Sequence, residues 1–276
     1  NEPLSFQPYK SFSESNQSIA EIIAVSSNWL KAHNVIEPRI SASEILAKAK
    51  GFRSKNEMFQ SISNNSKANF SSVEFEVFNE LCCLRSKHMP LQYIMGEWDW
   101  YELKLTMRPP VLIPRPETEE LVERIVKWLK NLQNLPKSFG FLDIGTGTGA
   151  IGLALLNAFP EAHCVGCDIS SEAVKLSLEN AAKVGVENRY KCLESSIESL
   201  SSSDVGKFHL IVSNPPYIPP KDMEGLDSDV KDYEDWRALC GVSDDGLEVI
   251  NQIIEKTPGL LLPCSEGGFG SLWLEV

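Results

Sequence analysis

The sequence predicts an α/β protein: a parallel sheet wound from alternating strands and helices, preceded by a small helical domain and a β-hairpin linker. Three observations carry this. From residue 139 onward, short apolar runs alternate with helix-length stretches, the pattern of a parallel sheet. Before residue 90, apolar residues recur at helical spacing. Between them, residues 90–111 are rich in aromatics and alternate.

The elements follow in order. Residues 1–18 are polar and Ser-rich without an apolar signal core, and are expected to be disordered. Residues 19–89 form the helical domain, whose first helix carries Ile19, Ile22, Ile23, Trp29 and Leu30. A second helix fits 41–49, with Ser41 or Ser43 as cap and Gly51 past its end. A third fits 72–87, with Phe75, Phe78, Leu81 and Leu84 on one face, after a linker at 64–71. This domain holds no metal or nucleophile constellation, so a structural or substrate-docking role is expected; His33 and His88 read as surface histidines.

A hairpin is expected over 91–105, which includes Tyr93, Trp98, Trp100 and Tyr101. In the segment 112–119 (LIPRPETE) two prolines fix an extended course, and Glu117 or Thr118 can open a helix over 120–132. The sheet domain, 112–276, then reads as strand 139–144, helix 149–158, strand 162–167, helix 171–184, strand 190–193, strand 208–213, helix 246–256 and strand 271–276.

The net charge of −12 is unevenly placed: residues 1–110 carry 12 basic and 12 acidic side chains, residues 111–276 carry 14 and 26. An acidic half is a poor general binder of phosphate backbones, so no direct nucleic-acid partner is expected. No apolar run reaches the roughly 18 residues of a membrane span, so no membrane partner is expected. Seven scattered cysteines fit reduced, intracellular thiols. Cys164 and Cys167 are spaced as C-x-x-C, but strand alternation sends them to opposite faces, so neither a redox nor a metal site is expected.

The candidate chemistry lies at Asn214-Pro215-Pro216-Tyr217. Two prolines end the strand before them, leaving an asparagine amide, rigid carbonyls and an aromatic ring at the carboxyl end of a strand, where open α/β sheets bind ligands. An amide oxygen can accept the N–H hydrogens of a planar substrate nitrogen; a Pro-rich turn closing a strand is the plainer reading. Upstream, Asp143-Ile144-Gly145-Thr146-Gly147-Thr148-Gly149 joins a strand to a helix. Its glycines permit close backbone approach to a ligand, or merely a tight turn. Asp143 just before the glycines would repel a pyrophosphate. Asp168, closing the next strand, can accept both hydroxyls of a ribose, or cap the helix at Ser171-Glu172. Together these favour a cationic, phosphate-free nucleoside, of which S-adenosyl-L-methionine is an example.

The chain resembles a known family at three motifs: 143–152 (DIGTGTGAIG), 112–119 (LIPRPETE) and 212–218 (VSNPPYI). With Pro90 to Gly96 (PLQYIMG), they are similar to the HemK/PrmC-type N(5)-glutamine methyltransferases of peptide-chain release factors, over roughly residues 20–276. The resemblance implies the Rossmann-like sheet of S-adenosylmethionine-dependent methyltransferases. It implies methyl transfer to the side-chain amide nitrogen of the glutamine in a release factor's Gly-Gly-Gln loop. It assigns cofactor binding to Gly145, Thr146, Gly147, Thr148, Gly149, Asp168, Ser196 and Asn214. It assigns catalysis to Asn214, Pro215 and Tyr217, and substrate binding to these with Pro216. The helical domain would dock the release factor, and a monomer is expected.

The chain departs from the family pattern at four places, one of them the segment 261–270, longer and more irregular than expected before the last strand. Glu194-Ser195-Ser196 puts serine where an acid near the adenine is usual. Glu234-Asp235 stands where Glu-Pro is usual. The sheet stops after its fifth strand, so a truncated product with Leu272, Trp273 and Leu274 on a bare edge strand is expected. Asn1 in place of methionine reads as a processed chain or a fragment, and with the Ser-rich start it tilts the compartment toward an organelle (mitochondrion or plastid), with a bacterial cytoplasm as the other reading. A nucleic-acid exocyclic-amine methyltransferase and an inactive truncated homologue stand as alternatives.

Overall fold

Contacts divide the chain at Gly96 into two units, Asn1–Gly96 and Glu97–Val276. The computed structural model describes residues 18–62, 67, 69–263, 265 and 268–276. The polar stretch 1–18, apart from Ser18, lies outside the described residues, as do 64–66 and 68 of the expected linker.

In the first unit, α1 (Ile19–Ala32) opens on a capping box: the Ser18 hydroxyl accepts from the Glu21 amide at 3.3 Å, and the Glu21 carboxylate accepts from the Ser18 amide at 2.8 Å. Helix α2 (Pro38–Ala49) begins before the expected Ser41 or Ser43. Proline's fixed φ suits the first helical position, so Pro38 starts the helix and both serines are buried inside it. Ser41 Oγ accepts instead from Nε of the buried Arg85 at 3.1 Å, and Ser43 Oγ donates to the Arg39 carbonyl at 2.8 Å. A short helix, α3 (Lys55–Ser61), follows with Ser54 as cap, and α4 (Ser72–Ser86) repeats the capping box with Ser71 and Glu74. Ile22, Leu30, Ile45, Leu46, Met58 and Phe78 are buried among these helices.

Residues 91–95 correct the expected hairpin. They form a helix, α5 (Leu91–Met95), opened by Pro90 and ended by Gly96 at φ 75°. The terminal signals outweigh the strand preference of the aromatics, because five residues bounded by proline and a left-handed glycine leave no room to extend a strand. The hairpin proper is β1 (Glu97–Trp100) and β2 (Leu103–Thr106). It falls within the second unit, where the Asn180 side chain clasps the backbone of Thr106, accepting at 2.7 Å and donating at 3.2 Å.

Helix α6 (Pro116–Lys130) starts at the second proline of LIPRPETE, four residues before the expected 120. The alternation then runs β3 (Gly140–Ile144), α7 (Ala150–Ala158), β4 (His163–Asp168), α8 (Ser171–Val184), β5 (Tyr190–Glu194), α9 (Ser202–Val205), β6 (Leu210–Ser213), α10 (Ser228–Lys231), α11 (Glu248–Leu260) and β7 (Ser271–Leu274). All five sheet strands are parallel, in the order β5-β4-β3-β6-β7. The fold is the expected Rossmann-like one. Strand order reverses beside β3, so the carboxyl ends of β3, β4 and β6 border a topological switch point, where such sheets bind ligands.

Strands β3 and β6 are central, and apart from Asp143 and Ser213 near their carboxyl ends both are apolar, as buried parallel strands are. Leu142, Ile144, Ile211 and Ile253 form the core on one side. Strand β7 pairs with β6 (Ser213 opposite Leu274) and is the outermost strand among the described residues. Its apolar residues are used: Leu272 and Leu274 pack on the Ile211 core, and Trp273 lies 5.6 Å from the Trp128 ring of α6. No helix among the described residues is long and apolar enough to cross a membrane.

Candidate active site

The glycine loop after β3 is held from within. Gly145, Gly147 and Gly149 have φ of 67°, 55° and 84°, where a side chain is strained. The Gly145 and Thr146 amides donate to the Cys167 carbonyl at 2.8 and 3.1 Å, and the Gly147 amide donates to Asp168 Oδ2 at 2.9 Å. Asp143 is fully buried; its Oδ2 accepts from Thr146 Oγ1 at 2.6 Å and from the Gly152 amide at 3.1 Å. Burial pushes its carboxyl up to about 7, against those two hydrogen bonds. Asp143 does not line the cavity, so it braces the loop, in place of the expected repulsion of a ligand phosphate. Thr146 and Thr148 also turn inward: the first bonds Asp143 and the Tyr190 hydroxyl, and the carbonyl of the second accepts from Asn180 at 2.9 Å.

A cavity of about 570 Å³ opens at the strand ends. Of the expected residues, Gly145, Gly147, Asp168, Ser196, Asn214 and Pro216 line it, whereas Thr146, Thr148 and Gly149 do not. A second cavity of about 40 Å³ is lined by Pro215 and Tyr217, and Asn214 and Pro216 border both. Tyr217 is 42% exposed and stands at the smaller cavity, apart from the larger one.

Asp168 Oδ1 accepts from the Ser170 amide and Oδ2 from the Gly147 amide, each at 2.9 Å. Each oxygen keeps a lone pair for a further donor. Burial raises this carboxyl from its ordinary value, against those two amides. The helix cap is Ser170, whose hydroxyl accepts from the Ala173 amide at 3.4 Å.

At the end of β6 the Asn214 amide is gripped on its donor side. Nδ2 donates to Thr118 Oγ1 at 3.2 Å and to Glu275 Oε1 at 2.9 Å. Both N–H groups are spent, so the polar atom left for a ligand is Oδ1, an acceptor. Ser213 fixes the strand end by donating to the Ile144 carbonyl at 2.7 Å.

The segment after Tyr217 folds back as a wall. Ile218 bridges to Cys240, and the Asp235 amide donates to the Pro110 carbonyl at 2.7 Å. Glu234 is buried and accepts from Arg115 at 2.6 Å; burial raises its carboxyl, and Arg115 opposes that rise. Asp235 pairs with Arg237, which holds its carboxyl below the usual range. Glu234 therefore ties LIPRPETE to this wall, and Asp235 ties the segment just before it. Gly246 has φ 78°, and a Cβ there would lie 2.3 Å from the Tyr217 carbonyl, so the return is tight.

Sequence reasoning missed Trp236, Arg237 and Glu198, which line the larger cavity. Trp236 is 62% exposed, and a tryptophan among charged residues is its only sequence signal. Among the described residues, the cavity is bordered by four carboxylates, Asp168, Glu198, Asp235 and Glu248, and one cation, Arg237. Apolar walls come from Ile144, Ile169, Ala173 and Val249. Its size is ordinary for a ligand pocket of roughly 300–1,000 Å³, and its donor set fits a cationic nucleoside better than a phosphorylated one. Burial raises the thiols of Cys164 and Cys167, which suits them to packing.

Comparison with known proteins identifies the family. Residues 128–226 match the family described as Methyltransferase small domain, and residues 21–96 match the PrmC N-terminal domain. A human protein described as MTRF1L release factor glutamine methyltransferase is 38% identical over 212 residues, 75% of this chain and 61% of that protein. A release factor glutamine methyltransferase of Fusobacterium nucleatum is 35% identical over 245 residues, 88% of this chain and 65% of that protein. One of Chlorobaculum tepidum is 32% identical over 247 residues, 88% of this chain and 82% of that protein. The chain thus spans 61% and 65% of the length of the first two of these relatives.

Proposed function

Because the chain belongs to the release factor glutamine methyltransferase family, we propose that it methylates the side-chain amide nitrogen of a glutamine in a peptide-chain release factor. The observation that carries this is the Asn214 amide, fixed with its acceptor free where the two cavities meet. The larger cavity is assigned to S-adenosyl-L-methionine and the smaller to the glutamine side chain.

Asp168 would hold the ribose hydroxyls, the backbone at Gly145 and Gly147 would line the path of the amino-acid portion, and Ser196 would lie toward the base. When bound, S-adenosylmethionine supplies an electrophilic methyl on a sulfonium centre. An amide nitrogen is a poor nucleophile, because its lone pair is delocalised into the carbonyl. Asn214 Oδ1 and the Pro215 carbonyl accept its two hydrogens, which orients the nitrogen and stabilises charge as it develops there. Tyr217 borders the slot that the glutamine side chain enters. The helical unit is assigned to docking the release factor, and the protein to acting as a monomer, since one chain supplies every residue given a role. The four carboxylates around the cavity favour a protein over a nucleic-acid substrate. The setting is bacterial-type translation, in a bacterium or an organelle.

The test is incubation with radiolabelled S-adenosylmethionine and a release factor, with or without Gln→Ala in its Gly-Gly-Gln loop. Label on the first protein alone is expected. Equal labelling of both contradicts the reading, and no labelling with a melting temperature unmoved by the cofactor favours an inactive homologue.

A further inference from the structure

We propose that Thr118 and Glu275 form a directional clamp on the Asn214 amide, making them positioning residues for the target nitrogen. This rests on the reading of Asn214 given above. An asparagine amide can turn by half a circle about its last bond and present either NH₂ or oxygen to a ligand. Only the oxygen can accept from a substrate N–H, so one of the two orientations is productive.

A carboxylate settles the choice, because it accepts and never donates. Glu275 Oε1 takes one Asn214 N–H at 2.9 Å, and the Thr118 oxygen takes the other at 3.2 Å. The Thr118 hydroxyl hydrogen goes in turn to Glu275. Every bond thus points toward the carboxylate, and turning Asn214 round would set its oxygen against Glu275, which has no hydrogen to donate. Thr118 is 2% exposed, and Glu275 Oε2 is buried without a hydrogen-bond partner among the described residues, so water does not readily substitute for either group.

The clamp also gives LIPRPETE a physical task. Pro116 at the first position of α6 fixes where Thr118 stands, 96 residues before the amide it holds. Protonated, Glu275 becomes a donor and can bond the amide oxygen, removing the preference. Burial raises its carboxyl and Glu117 on α6 adds to the rise, while Thr118 and Asn214 oppose it. Activity should therefore fall on the acid side as Glu275 gains its proton.

The experiment compares Thr118→Val, Thr118→Ser, Glu275→Leu and Glu275→Gln with the unchanged chain, each first shown to be folded and stabilised by S-adenosylmethionine. Thr118→Val and Glu275→Leu should lower kcat about tenfold to a hundredfold, with cofactor affinity nearly kept. Thr118→Ser keeps the acceptor and should stay within about threefold, whereas Glu275→Gln, which can donate as well as accept, should lower kcat at neutral pH to the level of the protonated wild type and lose the acid limb of the pH profile. If Glu275→Leu does not fold, Thr118→Val decides. An NMR arm is independent of turnover: the two Asn214 Nδ2 protons should exchange slowly with solvent in the unchanged chain and fast in Thr118→Val. Wild-type kcat in Thr118→Val, or an unshifted pH profile in Glu275→Gln, overturns the clamp. If the unchanged chain labels no release factor, the assigned function fails while the exchange measurement still tests the clamp. Fast exchange in the unchanged chain then overturns the clamp as well.

Discussion

The loops that follow β3 and β6 make opposite use of their polar groups. At the end of β3 and in the loop after it, Asp143 Oδ2, the Thr146 hydroxyl, the Thr148 carbonyl and the Gly145 amide are spent on one another and on neighbouring groups of the fold. After β6, Asn214 is satisfied on its donor side alone. The first loop is a scaffold that shapes a cavity wall, and the second is the part that can do chemistry. Polar satisfaction, more than proximity to the cavity, separates the two. Thr146 sits in the middle of the glycine motif yet does not line the cavity, whereas Asn214 borders two.

Substitutions should divide along the same line. The largest effect is expected from Asn214→Ala, which removes the acceptor: kcat should fall about a hundredfold to a thousandfold, with the melting temperature little changed. Asp168→Ala comes next. It removes acceptors assigned to the ribose and should weaken cofactor binding about tenfold to a hundredfold by calorimetry. Thr146→Val acts on the scaffold loop and should do the reverse of Asn214→Ala. By denaturant titration it should cost about 1–3 kcal/mol of stability, with kcat at saturating cofactor close to wild type. A large kcat loss in this variant would erase the distinction between the loops.

A further effect is a pH slope in stability. Asp143 ionises near 3.8 when unfolded and near 7 in the folded protein. The folded state therefore binds the proton more tightly, and stability falls as pH rises between those values. Asp143→Asn should flatten that part of the stability profile. An unaltered slope in the variant would move its cause to another group.

Much of this was legible in the sequence, for reasons that differ by region. The strand–helix alternation from residue 139 predicts β3 to β6 within a few residues, because buried parallel strands are mostly apolar. Gly145 and Asn214 lie beside proline or glycine punctuation that marks strand ends, and Asp168 is the acid that closes a strand-like run, so their place at the cavity could be read locally. The errors arise where a local signal competed with another. Tyr93 and its neighbours suggested a strand, but Pro90 and Gly96 made a short helix. Ser41 resembled a cap, but Pro38 had already begun the helix. The partners of Asn214 were out of reach for another reason: they lie 96 and 61 residues away, and no periodicity connects them.

The central claim is that a fixed acceptor at Asn214 drives methyl transfer to a glutamine amide. The most direct measurement is single-turnover transfer of labelled methyl to a release factor, wild type against Asn214→Ala, at saturating cofactor. The expected result is label on the Gly-Gly-Gln glutamine in wild type and a rate lower by about two orders of magnitude or more in the variant, with cofactor affinity retained. Equal single-turnover rates in the two proteins would contradict the account.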